Sequence, residues 1–263
     1  VVMNSHSTKF RWPLFALLCS VSAEVNISNI EPRRDINGHL MDIHDGNIAQ
    51  WHEGGLYYYY GMGYQNCTEK TGLIPPIDCP GIYKSFGECG FREDHVVNIY
   101  SSPDLLHWTF RGEALPRGRR PEGIYFRPKV IFNNSTQKFV LWINYLPPVN
   151  SWPYTPLHAY PNATYVVAQS STPDGIFMVS TIRASVKNKG GGDFALFVDH
   201  ADSDQAYIAY DAWSNGHRVT LERLSDDYLD SLGETVAAAF PPDNEAPIIF
   251  TRNGWYYLLF GTV

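Results

Sequence analysis

Three carboxylates and one guanidinium stand at matched places along this sequence. Four apolar runs begin at Ile48, Val130, Leu196 and Ile248, and three residues ahead of each lie Asp45, Arg127, Asp193 and Glu245. Carboxylates that converge in a wet pocket can divide the work of cleaving a glycosidic bond. One carboxylic acid protonates the leaving oxygen while a carboxylate activates water or attacks carbon. Glu245 reads as the acid, because the stretch from Ala246 to Phe250 offers it little solvation, and desolvation near other carboxylates raises a carboxyl pKa. Asp45, in a polar Gly/Asn turn beside His44, reads as the ionised base, with Asp193 tuning and orienting the acid.

For these side chains to meet, the runs that follow them must be equivalent strands of a repeat. Four segments, 54–61, 137–144, 205–211 and 254–261, are each a turn feeding an aromatic or β-branched run, and each follows one of the apolar runs across a short polar turn. These pairs read as β-hairpins. Further strands with their own closing turns follow, at Ser101 to Trp108, Ser170 to Phe177 and Leu224 to Leu232. A repeating antiparallel unit of roughly 50 to 80 residues is the sequence form of a propeller blade. In a propeller the first strand of each blade is innermost, so Asp45, Arg127, Asp193 and Glu245 are expected to face one mouth of a central channel. A β-sandwich is the competing all-β arrangement, and nothing reads as a long amphipathic helix.

Composition agrees with an all-β domain: 14% of residues are aromatic, with 17 Tyr among them. A net charge of -7 excludes a nucleic-acid partner, since phosphate binding needs clustered cations and only the patch from Arg117 to Arg120 approaches one. No Gly-rich phosphate loop or Gly-x-Ser-x-Gly elbow is present. Neutral sugars with apolar faces suit an acidic, Trp- and Tyr-rich surface. His44, Arg127 and Trp142 are the expected substrate contacts, Trp213 and Trp255 are further stacking candidates, and no metal-ligand spacing stands out.

At the amino terminus Lys9 and Arg11 precede an apolar run that ends in Val21-Ser22-Ala23. Residues 1–23 therefore read as a signal peptide and 24–263 as one glycosidase-like domain. The run falls short of the roughly 20 apolar residues that cross a bilayer, so the expectation is a secreted, extracellular protein without a membrane partner. Secretion implies disulfides and glycans. Cys67, Cys79 and Cys89 cluster as an odd set, and sequons occur at Asn26, Asn66, Asn133, Asn134 and Asn162.

The order and spacing of several motifs carry a resemblance. They are the stretch from Asp35 to Gly46 with its Ile-His-Asp-Gly, then Arg-Pro-Lys at 127–129 running to Asn133, Asp193 with the run to Asp199, the stretch from Arg223 to Leu229, and Glu-Ala-Pro at 245–247 running to Leu258. On these residues the chain resembles glycoside hydrolase family 43, and within it the exo-β-1,3-galactanase branch. The resemblance implies a five-bladed β-propeller with its last blade or blades missing from this sequence, and an inverting glycosidase acting exo on galactose- or arabinose-containing glycans such as β-1,3-galactan. It implies Asp193 as pKa modulator and Glu245 as general acid. Galactanases of that branch have Gly where Asp45 stands, whereas the wider family has its Asp base there, and a glutamate of the branch is here Phe126. Some relatives carry a channel calcium, for which no ligand set can be mapped onto this sequence; no other cofactor is expected. The expected partner is an oligo- or polysaccharide, bound by a monomer. Phe126 and the missing blade instead point to a non-catalytic carbohydrate-binding propeller.

Overall fold

The computed structural model describes residues 27, 30–64, 95–148, 160–237 and 240–262. The expected signal peptide, the three clustered cysteines and the sequons at Asn26 and Asn66 lie outside them. The described chain is all-β, with fourteen strands and three short 3-10 turns. The strands form three four-stranded antiparallel sheets and one hairpin, each in simple chain order.

The first sheet contains β1 (His44–Gln50), β2 (Tyr57–Gly63), β3 (Val96–Ser102) and β4 (Thr109–Glu113). The second contains β5 (Ile124–Asn133), β6 (Lys138–Leu146), β7 (Thr164–Ser170) and β8 (Met178–Thr181). The third contains β9 (Gly191–Asp199), β10 (Gln205–Ala212), β11 (Thr220–Leu224) and β12 (Ser231–Ala237), and the hairpin is β13 (Asn244–Arg252) with β14 (Trp255–Thr262). The four hairpins expected from the sequence are β1–β2, β5–β6, β9–β10 and β13–β14. Their first strands line up side by side, β1 against β5, β5 against β9 and β9 against β13.

Burial explains why β6 reads as an unbroken apolar run. On β6, Phe139, Leu141 and Ile143 join Tyr60, Val97 and Ile99 of the first sheet in one core, while Val140 and Trp142 join Phe194, Ile208 and Tyr210 of the third sheet in another. A strand buried on both faces has no polar alternation to show. The fully buried Glu222 is satisfied by Tyr210, by Ser231 Oγ at 2.6 Å and by the Lys187 N–H at 3.1 Å, which locks the outer strands of the third sheet.

Trp142 corrects an expectation. Its indole is fully buried in the second core, packs beside Tyr165 and donates Nε1–H to the Tyr228 carbonyl at 2.8 Å. It offers no face to a sugar. Asn133 is likewise buried, accepts hydrogen bonds from Ser135 and the Thr136 N–H and donates Nδ2–H to the Asp226 carbonyl at 2.8 Å, whereas Asn134 and Asn162 are exposed.

Candidate active site

Each first strand carries one bulge near its start, and the bulges place the site. Two residues of the first strand oppose one of the second: Asp45 and Gly46 against Gly61, Arg127 and Pro128 against Ile143, Gly192 and Asp193 against Asp211, and Ala246 and Pro247 against Phe260. The extra residue leaves the ladder and re-aims its side chain. Asp45, Arg127 and Ala246 hold φ of 51°, 54° and 51°, a left-handed conformation that costs a residue other than glycine about 1–3 kcal/mol and concentrates at functional sites. Proline fits the next position at Pro128 and Pro247, where the ladder needs no N–H. Gly46 stands there in the first strand because a Cβ would lie 1.6 Å from the Tyr60 carbonyl oxygen.

This geometry corrects the sequence register. Aligned on the bulge, Asp45 and Arg127 are equivalent to Gly192 and Ala246, so Asp193 falls one residue later and Glu245 one earlier. The acids gather round one structural feature without sharing one position on it. Counting back from an apolar run cannot find a bulge, because the inserted residue is defined by strand pairing.

Arg127, Asp193, Asp211, Trp213, His217 and Glu245 line one cavity of about 240 Å3. Asp193 forms an ion pair with Arg127 Nε, with both side chains mostly buried. Burial works most strongly against the Arg127 charge, but Asp193, together with Tyr160, Asp45 and Asp211, outweighs it, so the guanidinium pKa is raised. Glu245 is exposed. The burial expected from its apolar neighbours is absent: at the bulged start of β13, Asn244 and Pro247 are buried while Glu245 and Ala246 are both exposed.

Asp45 is not among the residues lining that cavity. Its carboxyl is 52% exposed and lies 3.4 Å from His44 Nδ1. The His44 contact holds the Asp45 pKa below the ordinary carboxylate value, with the charges of Arg127 and Lys129 adding to it against partial burial. His44 itself stacks on Tyr64 at 4.4 Å, and its buried Nε2 has no hydrogen-bond partner among the described residues. Lys129 bridges the two halves of the site. Burial lowers its pKa, Asp45 and Asp193 both attract its charge, and its Nζ donates to the Gly46 carbonyl at 2.6 Å. Below the bulges, a cavity of about 530 Å3 runs between the first strands, lined by Asn47, Ile131, Leu196 and Ile248 with Lys129 as its charged group.

Lys129, Asp211 and His217 do not stand out in the sequence. A signal for Asp211 is nonetheless present: it is a carboxylate closing the apolar run Ala-Tyr-Ile-Ala-Tyr, and an acid in a doubly buried strand demands a partner. Its partner is His217, at 2.7 Å from Nδ1. Trp213 is 40% exposed at the cavity, while Trp255 is 72% exposed on β14 and does not line it. Phe126 is buried beside His95 and leaves no carboxylate at its position. Among the described residues no group of three or more His, Cys, Asp or Glu side chains is arranged to hold a metal ion.

Comparison with known proteins agrees with the all-β fold. No curated protein matches the chain. Among solved structures it is similar to an exo-β-1,3-galactanase from Clostridium thermocellum, with 26% identity and a TM-score of 0.67 over 90% of this chain and 46% of that one. It is also similar to an exo-β-1,3-galactanase from Phanerochaete chrysosporium bound to galactose, with 21% identity and a TM-score of 0.66 over 90% of this chain and 48% of that one. A family-43 β-1,3-galactosidase with galactodeoxynojirimycin matches at 25% identity and a TM-score of 0.67, over 90% of this chain and 73% of that one. The chain thus spans about half the length of the two galactanases. The model of glycosyl hydrolases family 43 matches residues 82–262. By that match, the chain belongs to glycosyl hydrolases family 43.

Proposed function

We propose that the protein is an inverting glycosidase that acts exo on galactose- or arabinose-containing glycans such as β-1,3-galactan. Its architecture would be a five-bladed propeller, of which this sequence carries three blades and the first hairpin of a fourth. The observation that carries this reading is the gathering of Asp193, Glu245 and Arg127 at one cavity, built by bulges in adjacent first strands, with Asp45 on the next strand tied in through Arg127 and Lys129. Glu245 is the general acid, Asp45 the base that activates water, and Asp193, fixed by Arg127, orients the acid and tunes it. Exposed sequons at Asn134 and Asn162 fit a secreted glycoprotein.

The test is hydrolysis of β-1,3-galactan and of aryl β-galactosides and arabinosides by the purified protein. Release of monosaccharide supports the reading. Sugar binding without cleavage overturns it in favour of a binding propeller.

The base also predicts a pH effect. His44 holds the Asp45 pKa down, so the base stays ionised to lower pH than an ordinary aspartate. In His44→Ala that support is lost, the Asp45 pKa rises, and the acid limb of the kcat/KM profile moves to higher pH. An unmoved limb removes Asp45 from the base role.

A further inference from the structure

The cavity holds an Asp–His pair to which the proposed hydrolysis assigns no part. Asp211 is buried on β10, directly opposite the Gly192–Asp193 bulge, and its Oδ2 accepts the hydrogen bond from His217 Nδ1 at 2.7 Å. The other oxygen, Oδ1, is buried without a partner among the described residues, and Gly192 abuts it so closely that a Cβ would lie 2.7 Å away. Burying a carboxylate against a strand is costly unless it holds something in place. What Asp211 holds is the imidazole.

His217 is itself constrained. Its φ of 53° is left-handed, its N–H donates to the Ala212 carbonyl at 3.0 Å, and its carbonyl accepts from the Asn244 N–H at 2.9 Å. That last bond ties His217 to the residue immediately before Glu245. With Nδ1–H committed to Asp211, the neutral ring keeps Nε2 as a hydrogen-bond acceptor. Nε2 has no partner among the described residues, and the side chain is 31% exposed at the cavity. Beside it, Trp213 packs edge-on at 5.4 Å and presents a partly exposed indole to the same space. A fixed acceptor next to an aromatic face matches the two sides of a pyranose ring, its hydroxyls and its apolar C–H face.

We propose that His217, oriented by Asp211, binds the substrate through Nε2, which accepts a hydrogen bond from one hydroxyl of the sugar resting against Trp213. This rests on the glycosidase reading for its substrate class, and it adds a binding residue to that reading. A hydroxyl that takes no part in bond cleavage is held alike in ground state and transition state. Such uniform binding appears in KM rather than in kcat.

Two conservative variants separate substrate contact from scaffolding. His217→Asn keeps a donor near the Nδ1 place for Asp211, tolerates a left-handed φ and loses the reach of Nε2. His217→Gln places a polar atom near Nε2 instead. On β-1,3-galacto-oligosaccharides, His217→Ala and His217→Asn are expected to raise KM roughly 2- to 12-fold, the loss of one hydrogen bond, with kcat nearly unchanged. His217→Gln is expected to recover much of the loss, and unfolding midpoints to stay close to wild type in Asn and Gln. Recovery by Asn with none by Gln, or an unaltered KM in Ala, overturns the proposal. NMR titration with free galactose keeps the test independent of turnover. If wild type cleaves nothing, the glycosidase reading fails, yet weaker galactose binding in Ala and Asn with retention in Gln still supports the contact, and equal binding in all four overturns it.

Discussion

Glu245→Gln is expected to lower kcat/KM on β-1,3-galacto-oligosaccharides by about 10²- to 10⁴-fold, the usual contribution of a positioned general acid. Glu245 is exposed at the cavity mouth, so the change removes a proton donor and disturbs little packing. The deficit should shrink on aryl galactosides with good leaving groups, because their departure needs no proton. Asp193→Asn should give a loss of comparable size with a different companion effect. It leaves the Arg127 guanidinium mostly buried without its carboxylate, and stranding one partner of a buried pair costs about 3–5 kcal/mol. Its unfolding midpoint should therefore fall while that of Glu245→Gln holds. Equal rates for Glu245→Gln and wild type would contradict the assignment of the acid.

The second large effect is on stability. Trp142→Ala is expected to destabilise the protein by about 3–5 kcal/mol, as truncation of a buried aromatic does. It empties a site packed by Tyr165 and leaves the Tyr228 carbonyl without its indole donor. Chemical denaturation measures the loss, and sugar affinity at temperatures well below unfolding should be unchanged. Weakened sugar binding at intact stability would return Trp142 to the substrate-contact role that the sequence suggested.

That misreading shows where sequence reasoning reached its limit. The four hairpins were legible because each joins two apolar runs across a Gly- or Asn-containing turn, a local signal. The side that a residue faces was not local. Trp142 lies in a strand covered on both faces, where an aromatic packs against the neighbouring sheet, and the run Phe-Val-Leu-Trp-Ile gives no sign of which residue meets solvent. Glu245 was expected to be buried because apolar residues follow it, yet at the bulged start of β13 it is exposed at the cavity along with Ala246, and Asn244 and Pro247 are the buried residues.

That an acid or an arginine stands near the start of each first strand was legible, and the register was not. A bulge is a property of two strands together, visible in pairing such as Phe126 with Asn144 followed by Lys129 with Trp142. Read along one strand alone, Asp45, Asp193 and Glu245 share a position; in the fold they occupy successive positions around equivalent bulges. Asp211 and His217 escaped because they sit on the second strand and the turn after it, where no repeat drew attention to them. The polar group at the end of a buried run was the available clue.

Product stereochemistry tests the central claim most directly. Time-resolved proton NMR of β-1,3-galactobiose hydrolysis by the wild-type protein should show α-galactose appearing first and mutarotating later, since a base-activated water attacks the face opposite the leaving group. β-Galactose as the first product would mean a covalent intermediate and would contradict the roles of Asp45 as base and Glu245 as acid.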